Sequence, residues 1–170
     1  KGKCKCTSPH LSEQQIKDIF VSAFNKLMPN KNEIIGNMNI IIQTLCDTTS
    51  LEEQARGLED EIAILVQMTQ DLISRNAHVA LNQEEYQKRY EGMTRKYETK
   101  KGEYDDLQTK INKRNAKAEI LRRYTSCLAE QNDTITEFDG SLWSGLVDCV
   151  TAYSKEDIRV TFKDGMEIIA

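Results

Sequence analysis

Residues 51–72 read LEEQARGLEDEIAILVQMTQDL, and this stretch decides the fold of the chain. One mostly apolar set of side chains recurs in it at alternating steps of four and three. Its members are Leu51, Ala55, Leu58, Ile62, Leu65, Thr69 and Leu72. Such alternation is a heptad seam, the stripe along which one helix packs on another. The stretch therefore predicts one partner of a helix pair.

A second heptad seam lies further along the chain and supplies the other partner. Its members are Tyr86, Tyr90, Met93, Tyr97, Lys100, Tyr104, Leu107, Ile111, Arg114, Ala118 and Leu121, with Leu128 one heptad further on. A helix over 83–131 is about 70 Å long, and the helical stretch 32–75 is of similar length. A short turn at 76–82 makes the two helices antiparallel neighbours. We therefore expect a long antiparallel coiled-coil hairpin over 32–131, with its tip at 76–82.

Some seam features leave alternatives open. The phase of the seam changes across residues 47–50, and Ser50 and Glu53 fit a helix cap there. We therefore expect a kink or phase slip at this point and leave open whether the helix breaks. Lys100 and Arg114 either extend to the edge of the helix pair or fix its register. The seam tyrosines favour core packing over base stacking, because stacking needs an exposed basic surface.

A third amphipathic helix precedes the hairpin, over residues 12–28. Ser12 and Gln15 form a capping-box pattern at its start, and Pro29 stops it.

The last forty residues change character and predict a small α+β piece. A short helix follows Asp139, and the Asp164-Gly165 pair is favoured in hairpin turns. Period-two alternation and apolar runs predict strands at 149–153, 158–162 and 166–169. Too small to be stable alone, this piece is expected to pack on the first helix and the base of the hairpin. We assign residues 1–31 and 132–170 to one base, completed by the C-terminal β-hairpin.

Composition narrows the class of protein. Charged residues make up 29% of the 170 residues and the net charge is -4, which excludes a domain that is basic overall, as most DNA-binding domains are. Cys46, Cys127 and Cys149 are expected to be buried, reduced thiols. No apolar run is long enough to span a membrane, and we expect no secretory signal, because the basic N-terminal segment lacks an apolar stretch. The chain does not begin with Met, and we expect a piece of a longer cytoplasmic protein.

Catalysis finds little support among the residues. His10 and His78 have no Cys or Ser nucleophile in a recognisable context, and no glycine-rich phosphate loop exists. The many carboxylates fit the solvated outer faces of the helices. We expect the chain not to be an enzyme.

The tip of the hairpin is the first candidate contact site. The apolar side chains there are those of Ile73, Ala77, Val79, Ala80 and Leu81. They either cap the core of the hairpin or form an exposed patch that binds another molecule.

Cysteines and cations give weaker candidates. Cys4 and Cys6 are the one possible pair of metal ligands, but a zinc site needs four ligands, so free cysteines are the alternative. Candidate phosphate contacts, with a solvated surface as the alternative, are Lys1, Lys3 and Lys5 in the basic N-terminal segment and Arg159 and Lys163 on the closing hairpin.

Several segments, in this order, resemble the C-terminal part of the large serine recombinases, the serine integrase family of phages and transposons. Cys6-Thr7-Ser8-Pro9-His10-Leu11 is similar to the end of the family's zinc ribbon. The tip and returning arm of its coiled coil resemble Val79–Tyr86 and Arg89-Tyr90. Its closing helix and β-hairpin resemble Thr136–Asp139, Leu142-Trp143 and Val160–Gly165.

The resemblance implies a fold and a function. The fold is mainly α, with the coiled-coil hairpin inserted in a small zinc-ribbon-like α+β base. The parent protein recombines DNA through a serine in a separate catalytic domain and binds attachment-site DNA. The coiled coil joins subunits in synapsis by self-association of its tips. It also influences the choice between integration and excision, with a recombination directionality factor as a further partner.

The resemblance also makes Cys6 a zinc ligand of the bacterial or phage-encoded parent. Cys4 departs from the family pattern, and this fragment alone is not expected to hold zinc. A structural coiled-coil adaptor that binds protein partners without DNA is the alternative. It explains the heptads equally well, but not Cys6-Thr7-Ser8-Pro9 or the closing hairpin.

Overall fold

The structure, a computed structural model, describes residues 10–79, 82–154 and 156–169. Helices dominate it, and one small antiparallel sheet follows them, which confirms the prediction of a mainly α fold. The elements in chain order are α1 (Glu13–Leu27), a 3-10 turn (Met28–Asn30), α2 (Lys31–Thr44), α3 (Thr49–His78), α4 (Gln83–Glu130), α5 (Gly140–Leu146), β1 (Val147–Ala152), β2 (Ile158–Phe162) and β3 (Glu167–Ile169).

The chain divides into two compact units. Unit 1 comprises Lys1–Cys46 and Lys117–Ala170, and unit 2 comprises Asp47–Ala116. The predicted coiled-coil region of 32–131 is therefore wider than unit 2. The residues of α2 and of the end of α4 belong to unit 1, because their apolar side chains join its core.

The first helix begins where its sequence predicts. The backbone N–H of Ser12 donates to Gln15 Oε1 at 2.8 Å, and the N–H of Gln15 donates to Ser12 Oγ at 3.2 Å. This reciprocal pair is the predicted capping box, and it satisfies amide groups that have no partner within the helix. Helix α1 ends at Leu27, and Pro29 lies in the 3-10 turn that follows.

The helix is interrupted between α2 and α3. This answers the question, left open by the sequence, of whether the helix breaks at 47–50. Asp47 Oδ1 accepts hydrogen bonds from the backbone N–H of Thr49 at 3.0 Å and from its hydroxyl at 2.7 Å. These bonds lower the pKa of the Asp47 carboxyl, because they favour its charged form. The predicted cap at Ser50 and Glu53 is wrong, since α3 already begins at Thr49. The Asp47 side chain serves the start of the helix instead.

Unit 1 has one hydrophobic core, built from α1, α2, the end of α4, α5 and the sheet. Its fully buried large side chains are those of Tyr124, Phe20, Phe24, Phe162, Leu27, Leu128, Leu146 and Val160. The ring of Phe20 contacts the rings of Phe138 and Trp143 edge-on, with centroids 5.6 and 5.4 Å apart. The sheet packs on α1, as expected, and Lys26 Nζ donates to the carbonyl of Ile169 at 2.8 Å.

Polar contacts hold the segment that follows α4. Asn25 Nδ2 donates to the carbonyl of Ile135 at 2.8 Å, and the N–H of Ile135 donates to Asn25 Oδ1 at 2.9 Å. Lys31 Nζ donates to the carbonyls of Ala129 and Gln131. A cation at these carbonyls suits the negative end of the helix dipole. These contacts fix where α4 ends and where the chain turns toward α5.

The sheet has the strand order β1-β2-β3, with antiparallel neighbours. In β2, Ile158, Val160 and Phe162 are buried and the residues between them are half-buried, so the predicted alternation is confirmed. Strand β1 begins two residues before its predicted start, directly after α5. A register shift between Val147 and Cys149 rotates the side chains there. Cys149 is consequently exposed, and the prediction that it is buried is wrong.

The turn between β2 and β3 lies at Asp164-Gly165, as predicted. The N–H of Gly165 donates to the carbonyl of Phe162 at 2.8 Å, and Gly165 has a φ of 92°, which favours glycine. Asp164 Oδ1 accepts from the N–H of Met166, and Asp164 Oδ2 accepts from the Tyr124 hydroxyl, both at 2.9 Å. The turn is therefore tied to α4 within unit 1.

We predict that the Tyr124 hydroxyl stabilises unit 1 in a way that depends on pH. Burial, with the Asp164 carboxylate, raises the pKa of Tyr124 far above its ordinary value. Tyr124→Phe removes a hydrogen bond to a charged group and is expected to cost about 1–3 kcal/mol at pH 7. Because the folded-state pKa is raised, this contribution is complete below about pH 10 and falls at higher pH, where the unfolded chain ionises.

Urea unfolding of both proteins at neutral pH and above pH 10 measures this effect. Ionisation of the other tyrosines is common to the two proteins and cancels. A difference in unfolding free energy that stays constant across this pH range contradicts the assignment.

Candidate functional site

Helices α3 and α4 contact each other within unit 2 and run in opposite directions. Polar contacts between them include Glu61 with Lys100 and Thr69 with Met93, and Asp47, just before α3, contacts Arg114. From one of these contacts to the next, the residue number rises along the segment of Asp47 and α3 and falls along α4 by nearly equal steps. The two helices therefore keep one antiparallel register over these contacts.

The predicted seam of α3 agrees with its burial. All seven seam residues from Leu51 to Leu72 are buried or half-buried, and every other residue between them is exposed. On α4 the agreement is weaker, since Tyr90, Tyr97 and Arg114 are exposed. The covered stripe of α3 is therefore its predicted seam, whereas on α4 most but not all of the predicted seam is covered. Knobs-into-holes packing of a coiled coil stays a prediction.

Lys100 extends to the edge of the helix pair, which is one of the two roles left open for it. Its Nζ reaches the edge of the helix pair, where it lies 3.0 Å from Glu61 Oε2 and 3.3 Å from Glu103 Oε2. Hydrogen bonds with these carboxylates raise the pKa of Lys100. Water screens exposed ion pairs of this kind, so they add little stability.

The turn between α3 and α4 is shorter than predicted. Helix α3 continues to His78, so the prediction of a turn over 76–82 is wrong at its start. Helix α4 begins at Gln83, and Asn82 Oδ1 accepts from the N–H groups of Glu84 at 3.0 Å and Glu85 at 3.2 Å. Asn82 therefore caps the start of α4.

The described part of the tip presents apolar side chains to solvent. Ile73 is 45% exposed and Val79 is 64% exposed, and Ala77 is exposed as well. The neighbouring seam residue Leu72 is only 6% exposed. Ala80 and Leu81 lie outside the described residues. Ile73 and Ala77 belong to the last turns of α3, and α4 does not cover them.

The candidate DNA contacts differ in what the structure shows. Lys1, Lys3 and Lys5 lie outside the described residues. Arg159 donates to both carboxylate oxygens of Asp157, at 2.9 and 3.1 Å, and to Glu167 at 3.5 Å. These bonds raise the pKa of Arg159, and the bond with Asp157 has the largest effect.

Lys163 is also engaged within unit 1, because its Nζ donates to the carbonyl of Ser144. A phosphate that binds Arg159 or Lys163 must compete with these internal partners.

The candidate zinc ligands Cys4 and Cys6 also lie outside the described residues. Over residues 10–79, 82–154 and 156–169, no group of three or more His, Cys, Asp or Glu side chains is placed to hold a metal ion. Over the same residues, no helix combines the length and apolar character that a membrane span requires.

A groove between α3 and α4 is a feature that the sequence analysis missed. Its volume is about 840 Å³, and its lining includes Glu61, Ile64 and Leu65 of α3 and Gly92, Lys96 and Thr99 of α4. Two signals were present in the sequence. Ile64 is an apolar residue outside the seam, and Gly92 is a glycine inside a long helical pattern. Only the pairing of the helices brings the two together.

We predict that the exposed tip residues do not hold the fold. Ile73→Gln and Val79→Gln are expected to change the unfolding free energy by less than about 0.5 kcal/mol, because both side chains already contact water. Leu72→Gln is expected to cost about 2–4 kcal/mol, because it removes a seam contact and buries an amide. Urea unfolding followed by circular dichroism measures these values. A large decrease in stability at Ile73 or Val79 contradicts a free contact surface.

The chain was compared with models of protein families, with curated proteins and with solved structures, and none of them matches it. Its function therefore has to be inferred from its own residues and contacts.

Proposed function

We propose that this chain is a non-catalytic contact module that binds another protein subunit through the end of its helix pair. The observation that supports this proposal is the exposure of Ile73, Ala77 and Val79 beside the covered seam residue Leu72. Removing apolar surface from water contributes about 25 cal/mol per Å². A second protein that covers these side chains gains this free energy without any change in the seam.

A contact at the tip is small and therefore weak. A few side chains at a helix end bury far less than the roughly 1,200 Å² typical of the smaller stable interfaces. A weak contact forms and dissociates quickly, since most affinity differences lie in the dissociation rate. This behaviour suits an assembly in which subunits have to meet, separate and meet again.

The resemblance of the sequence supports placing this contact in a serine site-specific recombinase. In this proposal a coiled-coil arm joins subunits during synapsis and influences the choice between integration and excision. Unit 1 contributes to the binding of attachment-site DNA. The parent protein is cytoplasmic, and it binds zinc in its zinc ribbon. A recombination directionality factor is the further partner that this proposal includes.

A structural adaptor that binds protein partners without DNA is the second candidate function. The observation that favours it is the internal engagement of Arg159 and Lys163, the two described residues expected to contact DNA. The net charge of -4 also favours it, because nucleic-acid-binding domains are usually basic. Both candidates use the same tip, so DNA binding separates them.

The first test concerns the tip. Ile73→Gln combined with Val79→Gln is expected to reduce the rise of weight-average mass with concentration, measured by analytical ultracentrifugation. The physical reason is the removal of apolar surface from the proposed contact. Ile40→Gln combined with Ile120→Gln is the matched control, because these isoleucines are 59% and 47% exposed and lie in unit 1. An unchanged mass curve for the tip variant would falsify the tip proposal.

The second test concerns DNA. In the recombinase proposal, Arg159→Gln combined with Lys163→Gln weakens binding of the full-length parent to duplex DNA. It also lowers the slope of log K against log salt by about 0.9 for each phosphate that the protein no longer neutralises. Fluorescence anisotropy over a salt series measures both quantities. Lys110→Gln combined with Lys113→Gln, two exposed cations of α4, is the control. Equal weakening in both variants, or none in either, excludes the sheet as a specific DNA contact.

A further inference from the structure

The half of α3 nearer the tip has apolar side chains on more sides than α4 covers. Residues 62–66 are five apolar residues in succession, Ile-Ala-Ile-Leu-Val. Successive residues lie about 100° apart around a helix, so these five place apolar side chains on every side of it. The seam residues Ile62 and Leu65 are half-buried, and the other three are exposed. A helix that is apolar on all sides is normally enclosed by more than one neighbour.

One uncovered face of α3 repeats the spacing of the seam. Its residues recur at alternating steps of three and four, and we call them the uncharged face. They are Ala63, Val66, Gln70, Ile73 and Ala77. All five are exposed, and the exposed fraction of Val66 is 39%. Steps of three and four mark a stripe along which a second helix can pack, and this stripe is about 21 Å long.

The absence of charge on this face narrows the class of partner. Gln67 and Ser74, the exposed side chains beside it, are uncharged as well. Asp71 and Arg75 lie on other sides of the helix, about 100° and 140° around it from Gln70. Over residues 63–77, the face therefore offers no cation to a phosphate and no ion-pair partner to a charged peptide. Two copies of the face can meet without bringing like charges together, which would oppose association.

Gln70 indicates which uncharged partner fits the face. It is the middle residue of the five, with two apolar residues on each side. In the part of the chain that the structure describes, its side-chain amide has no hydrogen-bond partner. An amide both donates and accepts, so two glutamines placed opposite each other can satisfy one another. A single polar residue in a helix-packing stripe specifies the register of the pair. A second copy of the chain supplies the matching amide.

The apolar residues of the face favour a parallel pair of helices. When two copies of α3 run in the same direction around a two-fold axis, each residue meets its own copy. Val66 then meets Val66, and Ile73 meets Ile73. In an antiparallel pair centred on Gln70, Val66 lies level with Ser74, and Ile73 lies level with Gln67. Of these two arrangements, the parallel one places apolar side chains against each other on both sides of Gln70.

We propose that the uncharged face of α3 pairs with the same face of a second copy of this chain, with the two α3 helices parallel and in register at Gln70. This proposal rests on the contact function proposed above, and it names the partner and extends the surface, because Ile73 and Ala77 belong to both the tip and the face. Covering Val66 and Ile73 removes apolar surface from water and stabilises the pair. The paired amides of Gln70 fix its register.

The main experiment places opposite charges at residue 70 of the whole chain. Gln70→Lys alone and Gln70→Glu alone are each expected to associate about tenfold more weakly or worse in sedimentation equilibrium, because two like charges then face each other. An equimolar mixture is expected to recover association, because each charge then meets its opposite. Wild-type association by either variant alone overturns the proposal, and so does a mixture that stays as weak as its components.

Met68 provides the matched control for this experiment. It is 47% exposed and lies about 160° around α3 from Gln70, so it is outside the uncharged face. Met68→Lys and Met68→Glu are each expected to associate as the wild type does. Lysine and glutamate are good helix formers, so circular dichroism is expected to show unchanged helix content in all four variants. Equal weakening by the charges at residues 68 and 70 overturns the assignment of the face.

A second pair of mixtures tests the direction of the helices, because residue 70 also meets residue 70 in the antiparallel pair. In the parallel pair, Ala63 meets Ala63, so Ala63→Lys mixed with Ala63→Glu is expected to recover association. In the antiparallel pair, Ala63 meets Ala77, so Ala77→Lys mixed with Ala63→Glu would recover association instead. We expect the first mixture to recover and the second to stay weak. The reverse result overturns the parallel arrangement.

The face and the tip can fail separately. The tip variant, Ile73→Gln with Val79→Gln, judges the contact function, and the charges at residue 70 judge the pairing along the face. If the tip variant associates as the wild type does, the contact function at the tip is wrong. If the tip variant associates more weakly while the charges at residue 70 have no effect, the contact function stands and the pairing along the face is wrong.

Discussion

The burial of one narrow stripe on α3 against α4 is the constraint on which unit 2 depends. A helix gains little from its own hydrogen bonds in water, and most of its stability comes from packing one apolar face. In α3 that face is narrow, since between Leu51 and Leu72 only the seam residues are covered. Everything outside the stripe is free to carry charge, and the chain uses it for Glu, Asp, Lys and Arg. Ile64 and Ile73 lie outside the stripe and are exposed. Their apolar side chains therefore do not contribute to the packing of α3 on α4.

Much of the fold could be predicted from local patterns, because those patterns have one physical cause each. The seam of α3, the caps at Ser12 and Asn82 and the alternation of β2 depend on neighbours a few residues away. Two predictions failed where a second local signal competed. Ser50 fits a capping pattern, but the Asp47 carboxylate accepts the backbone N–H of Thr49, and the helix begins there. Cys149 lies in an apolar run, but the register shift in β1 turns it toward solvent.

The contact surfaces were only partly accessible to sequence analysis. Exposure of Ile73 and Val79 follows from their place beyond the seam at the end of a helix, so it could be predicted. The groove needs the lateral alignment of residues about thirty positions apart, such as Ile64 and Gly92. No periodicity within a single helix contains that information. The ion-pair partners of Arg159 could not be predicted either. The alternation in β2 indicates only that the Arg159 side chain points away from the core.

Because unit 2 is inserted between the two segments of unit 1, the length of the helix pair can change independently of unit 1. The chain leaves unit 1 after Cys46 and returns to it at Lys117, and both Cys46 and Ala118 belong to one hydrophobic core. The seam between these points repeats every seven residues, on two antiparallel helices. Adding or deleting seven residues in each helix keeps every seam residue in phase and leaves the core of unit 1 untouched. Evolution can therefore lengthen or shorten the helix pair in steps of about 10 Å, at no cost to the unit that anchors the chain ends.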